Sequence, residues 1–181
     1  YKSITFQKSP QGVLAVFEKP DFEIDMDEIS KNLNLALDDI QDPGNLGTII
    51  RLADWFGIKD IFCSLHCADV FSPKTVQATM GAIARVRVCY TDLPEFLKEL
   101  QGKTTVYGTF MNGENIYNEN LTQNGIIVMG NEGNGISPEV EKFVTRKISI
   151  PGFSLENVAS ESLNVGIATA ITVSEFRRRK L

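Results

Sequence analysis

Apolar and polar positions along this chain alternate between two periods. Short runs rich in β-branched residues read as strands: "GVLAVF" from Gly12, "LNLALDDI" from Leu33, "IKDIFCSL" from Ile58, "ARVRVCY" from Ala84, "TTVYGTF" from Thr104, "GIIVMG" from Gly125 and "RKISIP" from Arg146. Helical spacing fills the intervals. From about Thr48 to Phe56, the residues Ile49, Leu52, Ala53 and Phe56 share one face, and Leu93, Phe96, Leu97 and Leu100 share another. Ser72 followed by Pro73, and Ser137 followed by Pro138, have the form of a cap and first helical residue. The chain closes with a helix from about Ser162 that carries Leu163, Ile167, Ala170 and Ile171 inward. Such alternation predicts an α/β fold, a mostly parallel sheet with helices on both faces. Asp21 to Lys31 reads as an acidic, solvated connector.

A length of 181 residues suits a single domain with a core large enough to need neither disulfides nor a structural metal. The expected division is a leading strand and connector over 1–32 and a core over 33–181. No apolar run is long enough to span a bilayer, and the first residues lack a signal-peptide pattern, so a cytoplasmic protein is expected. The chain opens on Tyr1, so a fragment that lacks an N-terminal segment is also expected. The odd count of three cysteines (Cys63, Cys67, Cys89) speaks for a reducing compartment and for cysteines as core fillers. A zinc site from these three and His66 has none of the common structural spacings, and no metal is expected. Net charge is −5, with acids crowded in "DFEIDMDE" and "LDDIQD" and bases in the closing "EFRRRKL", so any RNA contact has to be local.

Three loops depart from plain strand–helix connections. "DPGNLGTIIRLADWFG" leaves a strand through Asp42, Pro43, Gly44, Asn45 and Gly47 and enters a helix bearing Arg51. "VMGNEGNGIS" sets Gly130, Gly133 and Gly135 around Glu132. "IPGFSLENVASESLNVGIATA" ends at Ser162, Leu163 and Asn164 before the last helix. Each has an ordinary explanation: glycines for tight turns, Asn45 or Asn164 as helix caps, Glu132 beside a helix N-terminus, Arg51 as a solvated side chain. None supplies the dinucleotide fingerprint of a Rossmann domain.

In this order and spacing the three loops resemble the three motifs of the SpoU family, RNA ribose 2′-O-methyltransferases of the SPOUT superfamily, over about residues 33 to 179. The resemblance implies a C-terminal deep trefoil knot, S-adenosylmethionine as cofactor, an RNA substrate (ribosomal or transfer RNA) and a homodimer with active sites at its interface. Many relatives carry an N-terminal RNA-binding domain, which is expected to be missing here. Gly130, Ile150 and Leu163, with Thr109, Met129 and Pro151, match the cofactor side of the family's site. Asn45, Arg51, Glu132, Ser162 and Asn164 match its substrate and catalytic positions.

The family assigns the position of Arg51 a base-like role. A guanidinium stays protonated and offers five donors and no acceptor, so holding a phosphate and orienting the hydroxyl suit it better. The proton then leaves through a phosphate oxygen, a water or Glu132. By free pKa His66, the only histidine, is the rival base, and it matches no motif. The segment Gly152 to Glu161 is longer than in many relatives. The alternatives are a catalytically silent RNA-binding or ribosome-assembly relative, and a nucleotide-binding enzyme of doubly wound fold.

Overall fold

The computed structural model describes Thr5, Ser9 and residues 12–20, 22–153 and 162–179. Six strands form one sheet: β1 (Leu33–Leu37), β2 (Asp60–Cys63), β3 (Arg87–Tyr90), β4 (Val106–Asn115), β5 (Gly125–Met129) and β6 (Arg146–Ser149). Their order is β3-β2-β1-β5-β4-β6, and every pairing is parallel. The central strands β1 and β5 are buried along their whole length, as a parallel sheet covered on both faces requires.

Period-two alternation sorts the core into two layers. Leu35, Leu37 and Ile127 meet α2 (Pro43–Trp55) and α6 (Val165–Arg178), with α3 (Pro73–Thr79) flanking α2. Ala36, Ile126 and Val128 face α1 (Met26–Lys31), α4 (Leu93–Glu99) and α5 (Pro138–Glu141). Phe62 stacks on Phe96 at 4.2 Å on that second face, and Tyr107 meets Phe176 edge-on at 4.9 Å on the first.

Strand β4 departs from regular pairing. Ile148 of β6 lies opposite both Thr109 and Glu114, so the chain between them runs out and back around it. Gly113 permits this, since a Cβ there would lie 2.5 Å from the Ile148 carbonyl carbon. Ser149 Oγ donates to the Met111 carbonyl across the same crossing.

Four expectations need correction. Residues 13–17 form no strand; they are extended, with Val16 89% and Phe17 85% exposed. The connector contains α1, capped by Asp25 and anchored by buried Ile29. Helix α2 starts at Pro43, five residues before the expected Thr48. The inward face of α6 is Val165, Thr169, Thr172, Val173 and Phe176; Leu163 and Ile167 are about half exposed, at 48% and 54%. Among the described residues no helix is long and apolar enough to cross a membrane.

Candidate active site

Strand β1 ends at Leu37 and the chain turns through Asp38, Asp39 and Ile40 into α2. Asp42, not Asn45, caps that helix: its Oδ1 accepts from the Asn45 N–H at 2.8 Å, and Pro43 occupies the first helical position. Its Oδ2 meets Lys74 of α3 at 2.8 Å, and this partner, with the Asn45 N–H, holds the carboxyl below its ordinary range. The capped backbone leaves the Asn45 side chain free to reach outward. Gly47 serves packing and not access for a ligand, since a Cβ there would lie 2.5 Å from Ala78 Cβ and 2.7 Å from the Thr75 carbonyl. The glycine therefore brings α3 hard against the first turns of α2.

The second loop follows β5. Asn131 and Gly135 exchange two backbone hydrogen bonds of 2.9 Å, with Gly135 at φ 71. Asn131 Oδ1 accepts from the N–H groups of Gly133 and Asn134, and its Nδ2 donates to the Asp39 carbonyl at 2.8 Å. Buried Asp38 accepts from the Ser137 N–H at 2.7 Å. Together these bonds seat the loop on the β1 turn and raise Glu132 at its tip. Gly130 is required by the same closure, because its Cβ would lie 2.3 Å from the Gly135 carbonyl carbon.

Three side chains, one from each loop, then join. Asn164 caps α6, its Oδ1 accepting from the Gly166 N–H at 3.0 Å and the Ile167 N–H at 3.3 Å. Its Nδ2 donates to Asn45 Oδ1 at 3.0 Å, and Asn45 Nδ2 donates to Glu132 Oε1 at 2.8 Å. The α6 cap dictates the direction of this relay. Backbone N–H groups can only donate, so they fix the Asn164 oxygen; that leaves its NH₂ for Asn45, and the Asn45 NH₂ for Glu132. Glu132 is thus addressed as an acceptor, the role of a carboxylate.

Arg51 does not join the relay. Six residues after Asn45 it lies about 9 Å further along α2 and roughly 120° around its axis. It shares an exposed face with Thr48 and Trp55, and has no hydrogen bond or ion pair with another described residue. Ser162 is exposed two residues before the Asn164 cap. His66 is exposed on the turn after β2, and the structure gives it no contact with the relay. The closing arginines are engaged locally: Arg177 donates to the Phe56 and Gly57 carbonyls, Arg178 and Arg179 pair with Glu175, and Arg179 also reaches the Ile116 and Tyr117 carbonyls. They form no free basic surface.

The residues expected on the cofactor side collect at the carboxyl ends of adjacent strands: Thr109 in β4, Met129 and Gly130 closing β5, Ile150 and Pro151 after β6. Thr109 Oγ1 donates to the Val128 carbonyl at 3.0 Å, which ties β4 to β5 there. Half-buried Ile150 and Pro151 and half-exposed Leu163 offer apolar surface beside polar loop backbone, a chemistry that fits an adenosine-bearing cofactor. Most of the predicted loop 152–161 lies outside the described residues. A cavity of about 380 Å³ lined by Lys31, Lys59 and Arg177 opens at the opposite, amino end of the sheet and contains none of these groups. Among the described residues no three His, Cys, Asp or Glu side chains converge as a metal-binding group.

Sequence reasoning missed Asp38, Asp42, Lys74 and Asn131. Asp42 alone had a signal, an aspartate directly before proline at a helix start.

Known proteins resemble this chain in sequence and in fold. The profile of the SpoU rRNA Methylase family matches residues 32–174. The 23S rRNA (guanosine(2553)-2′-O)-methyltransferase RlmP of Bacillus subtilis is 30% identical over 179 residues, 98% of this chain and 69% of its own length. A TrmH-family structure from Porphyromonas gingivalis superposes with a TM-score of 0.83 at 43% identity, covering 98% of this chain and 70% of that one. An AdoMet-bound rRNA methyltransferase from Sinorhizobium meliloti gives a TM-score of 0.76 at 31% identity, covering 86% of this chain and 60% of that one.

Proposed function

We propose, from the premise that this chain belongs to the SpoU rRNA methylase family, that it methylates a ribose 2′-hydroxyl of RNA, with ribosomal RNA as the substrate class its relatives favour. The Asn164–Asn45–Glu132 relay is the observation that carries the reading, because a simple binding fold has no need of a carboxylate aimed by two amides. S-adenosylmethionine, bound beside Thr109, Gly130, Ile150 and Leu163, supplies an electrophilic methyl on a sulfonium.

The chain's own residues have three tasks: to hold the hydroxyl in line, to receive its proton and to order the neighbouring phosphate. Glu132, with Oε1 fixed by Asn45, would take the hydroxyl proton on its second oxygen while the ribose oxygen gains the methyl, the methyl–sulfur bond breaking and S-adenosylhomocysteine leaving. Arg51 pairs with the phosphate, a bidentate contact suited to its guanidinium. Ser162, beside Leu163, orients the ribose.

The orientation of Arg51 favours a homodimer in which it serves the partner subunit's site. The exposed Thr48, Arg51 and Trp55 of α2 and Ile167 of the adjacent α6 supply a self-complementary patch for two-fold pairing. The resemblance implies a trefoil knot as well, formed by the chain around the second and third loops. Incubation of the protein with tritiated S-adenosylmethionine and unmethylated 23S rRNA tests the reading. Label in one alkali-resistant dinucleotide is the expected result; label in a base, or none, contradicts it.

A further inference from the structure

The turn between β1 and α2 sets both ends of the Asn45–Glu132 bond. Asp38 and Asp39 seat the Glu132 loop through Ser137 and Asn131, and Asp42, two residues beyond Ile40, caps α2 at the Asn45 N–H. Asp39 has φ 59, a left-handed conformation that costs a residue with a Cβ free energy and persists where its neighbours hold it. The holding groups come from the turn after β2. Two consecutive N–H groups of the β1 turn donate to its side chains, Asp39 to Ser64 Oγ at 2.9 Å and Ile40 to Cys67 Sγ at 3.3 Å. The Cys67 thiol donates in its turn to the Leu37 carbonyl at 3.3 Å, so one sulfur spans the bend from Leu37 to Ile40. Backbone bonds from Ser64 N–H to the Leu37 carbonyl and from Ala68 N–H to the Ile40 carbonyl flank it. Core filling describes the buried Cys63; the half-buried Cys67 is used as donor and acceptor together.

We propose that Cys67 is a positioning residue for methyl transfer, whose thiol holds the β1 turn in the shape that seats Glu132 against Asn45. The assignment rests on the reading of the protein as an RNA methyltransferase with Glu132 as proton acceptor. Cys67 touches no reacting group. Its effect passes from Leu37 and Ile40 to Asp38 and Asp39, from these to Ser137 and Asn131, and only then to Glu132. Without the sulfur the Ile40 N–H loses its acceptor and Asp39 is freed to leave the left-handed region, which turns its carbonyl away from Asn131 Nδ2. A small displacement of the Glu132 oxygens slows the proton transfer while the cofactor surface at Ile150, Pro151 and Leu163 stays as it is.

Alanine and serine are nearly equal in volume, so Cys67→Ala and Cys67→Ser open the same gap and differ in the hydroxyl that can replace the thiol's two bonds. In the full-length protein with 23S rRNA, kcat should fall roughly tenfold in Cys67→Ala, with KM for RNA and S-adenosylhomocysteine affinity unchanged, and Cys67→Ser should recover most of the loss. Cys67→Val fills the site without a hydrogen-bonding group and should match Cys67→Ala, so the contrast survives if the alanine variant folds poorly. Amide hydrogen exchange, read without any reaction, should be faster over residues 130–137 in Cys67→Ala and Cys67→Val than in Cys67→Ser. A purely structural role would lower the unfolding midpoint of the alanine and serine variants alike and leave their kcat and loop exchange equal, which overturns the proposal. Parental kcat in Cys67→Val overturns it as well, with the functional reading intact. No transfer by the unmodified protein overturns the functional reading and the role of Cys67 with it.

Discussion

Asn45 and Glu132, 87 residues apart in sequence, are joined by a 2.8 Å hydrogen bond whose donor is fixed by a helix cap on a third segment. This makes the amide direction testable. Asn164→Asp keeps an oxygen for the Gly166 and Ile167 N–H groups but loses the donor to Asn45. The variant should unfold within about 0.5 kcal/mol of the parent while methyl transfer falls at least about tenfold. Asn164→Ala loses the cap as well and should cost about 1 kcal/mol. Denaturant unfolding beside single-turnover kinetics separates the two effects, and equal activity in Asn164→Asp would show that relay direction is irrelevant.

Gly47→Ala tests the packing of α3 on α2. Its Cβ would meet Ala78 Cβ at 2.5 Å and the Thr75 backbone oxygen at 2.7 Å, and a backbone atom cannot rotate aside. A loss of about 1–3 kcal/mol in unfolding free energy is expected, as for overpacked cores. A neutral result would mean that the two helices separate easily.

Much of the fold is legible in the sequence because buried parallel strands leave short β-branched runs and period-two alternation, as in β1 and β5. The misread parts have physical reasons. Pro43, Gly44 and Gly47 carry loop signals, yet Pro43 is the first helical residue and Gly47 is a helix contact, and only the tertiary partner α3 distinguishes these roles. The apolar Leu163 and Ile167 suggested an inward face, while the sheet actually receives Thr169, Thr172 and Phe176, so composition misled where packing decides. Residues 13–17 have strand composition yet stay largely exposed, so their apolar side chains gain no burial from the core. At the site, the family resemblance singled out Asn45, Glu132 and Asn164, but the two bonds joining them depend on loops that fold back through Asn131 and Asp38.

Cys67 offers a pH-dependent observable. Hydrogen bonding from the Cys63 thiol, then from Ser64 and the Ile40 N–H, draws its thiol down to about 7, while Cys63 is pushed well up by donation to Cys67 and by burial. Because the thiolate is the nucleophile, iodoacetamide labelling of Cys67 should rise as pH increases through about 7, whereas Cys63 stays unlabelled in the folded protein. Peptide mass spectrometry across pH 5 to 9 reads this; a Cys67 midpoint above about 8.5, the free-thiol value, would contradict the assigned hydrogen bonds.

The separation of Arg51 from the relay predicts complementation between subunits. Arg51→Ala should bind S-adenosylhomocysteine yet transfer little methyl, and Leu163→Arg should fail to bind cofactor because a charge replaces apolar surface. Co-refolding of the two full-length variants should restore part of the activity through mixed dimers. Mixed dimers verified by native mass spectrometry but inactive would return Arg51 to its own subunit's site.

The most direct measurement concerns Glu132. Glu132→Gln retains an oxygen for the Asn45 donor and removes the carboxylate proposed to receive the hydroxyl proton. Single-turnover methyl transfer at saturating cofactor and RNA should fall about 10²- to 10⁴-fold, with S-adenosylhomocysteine and RNA affinities within about twofold of the parent. Transfer at the parental rate would contradict the role assigned to Glu132, and with it the function of the relay that holds it.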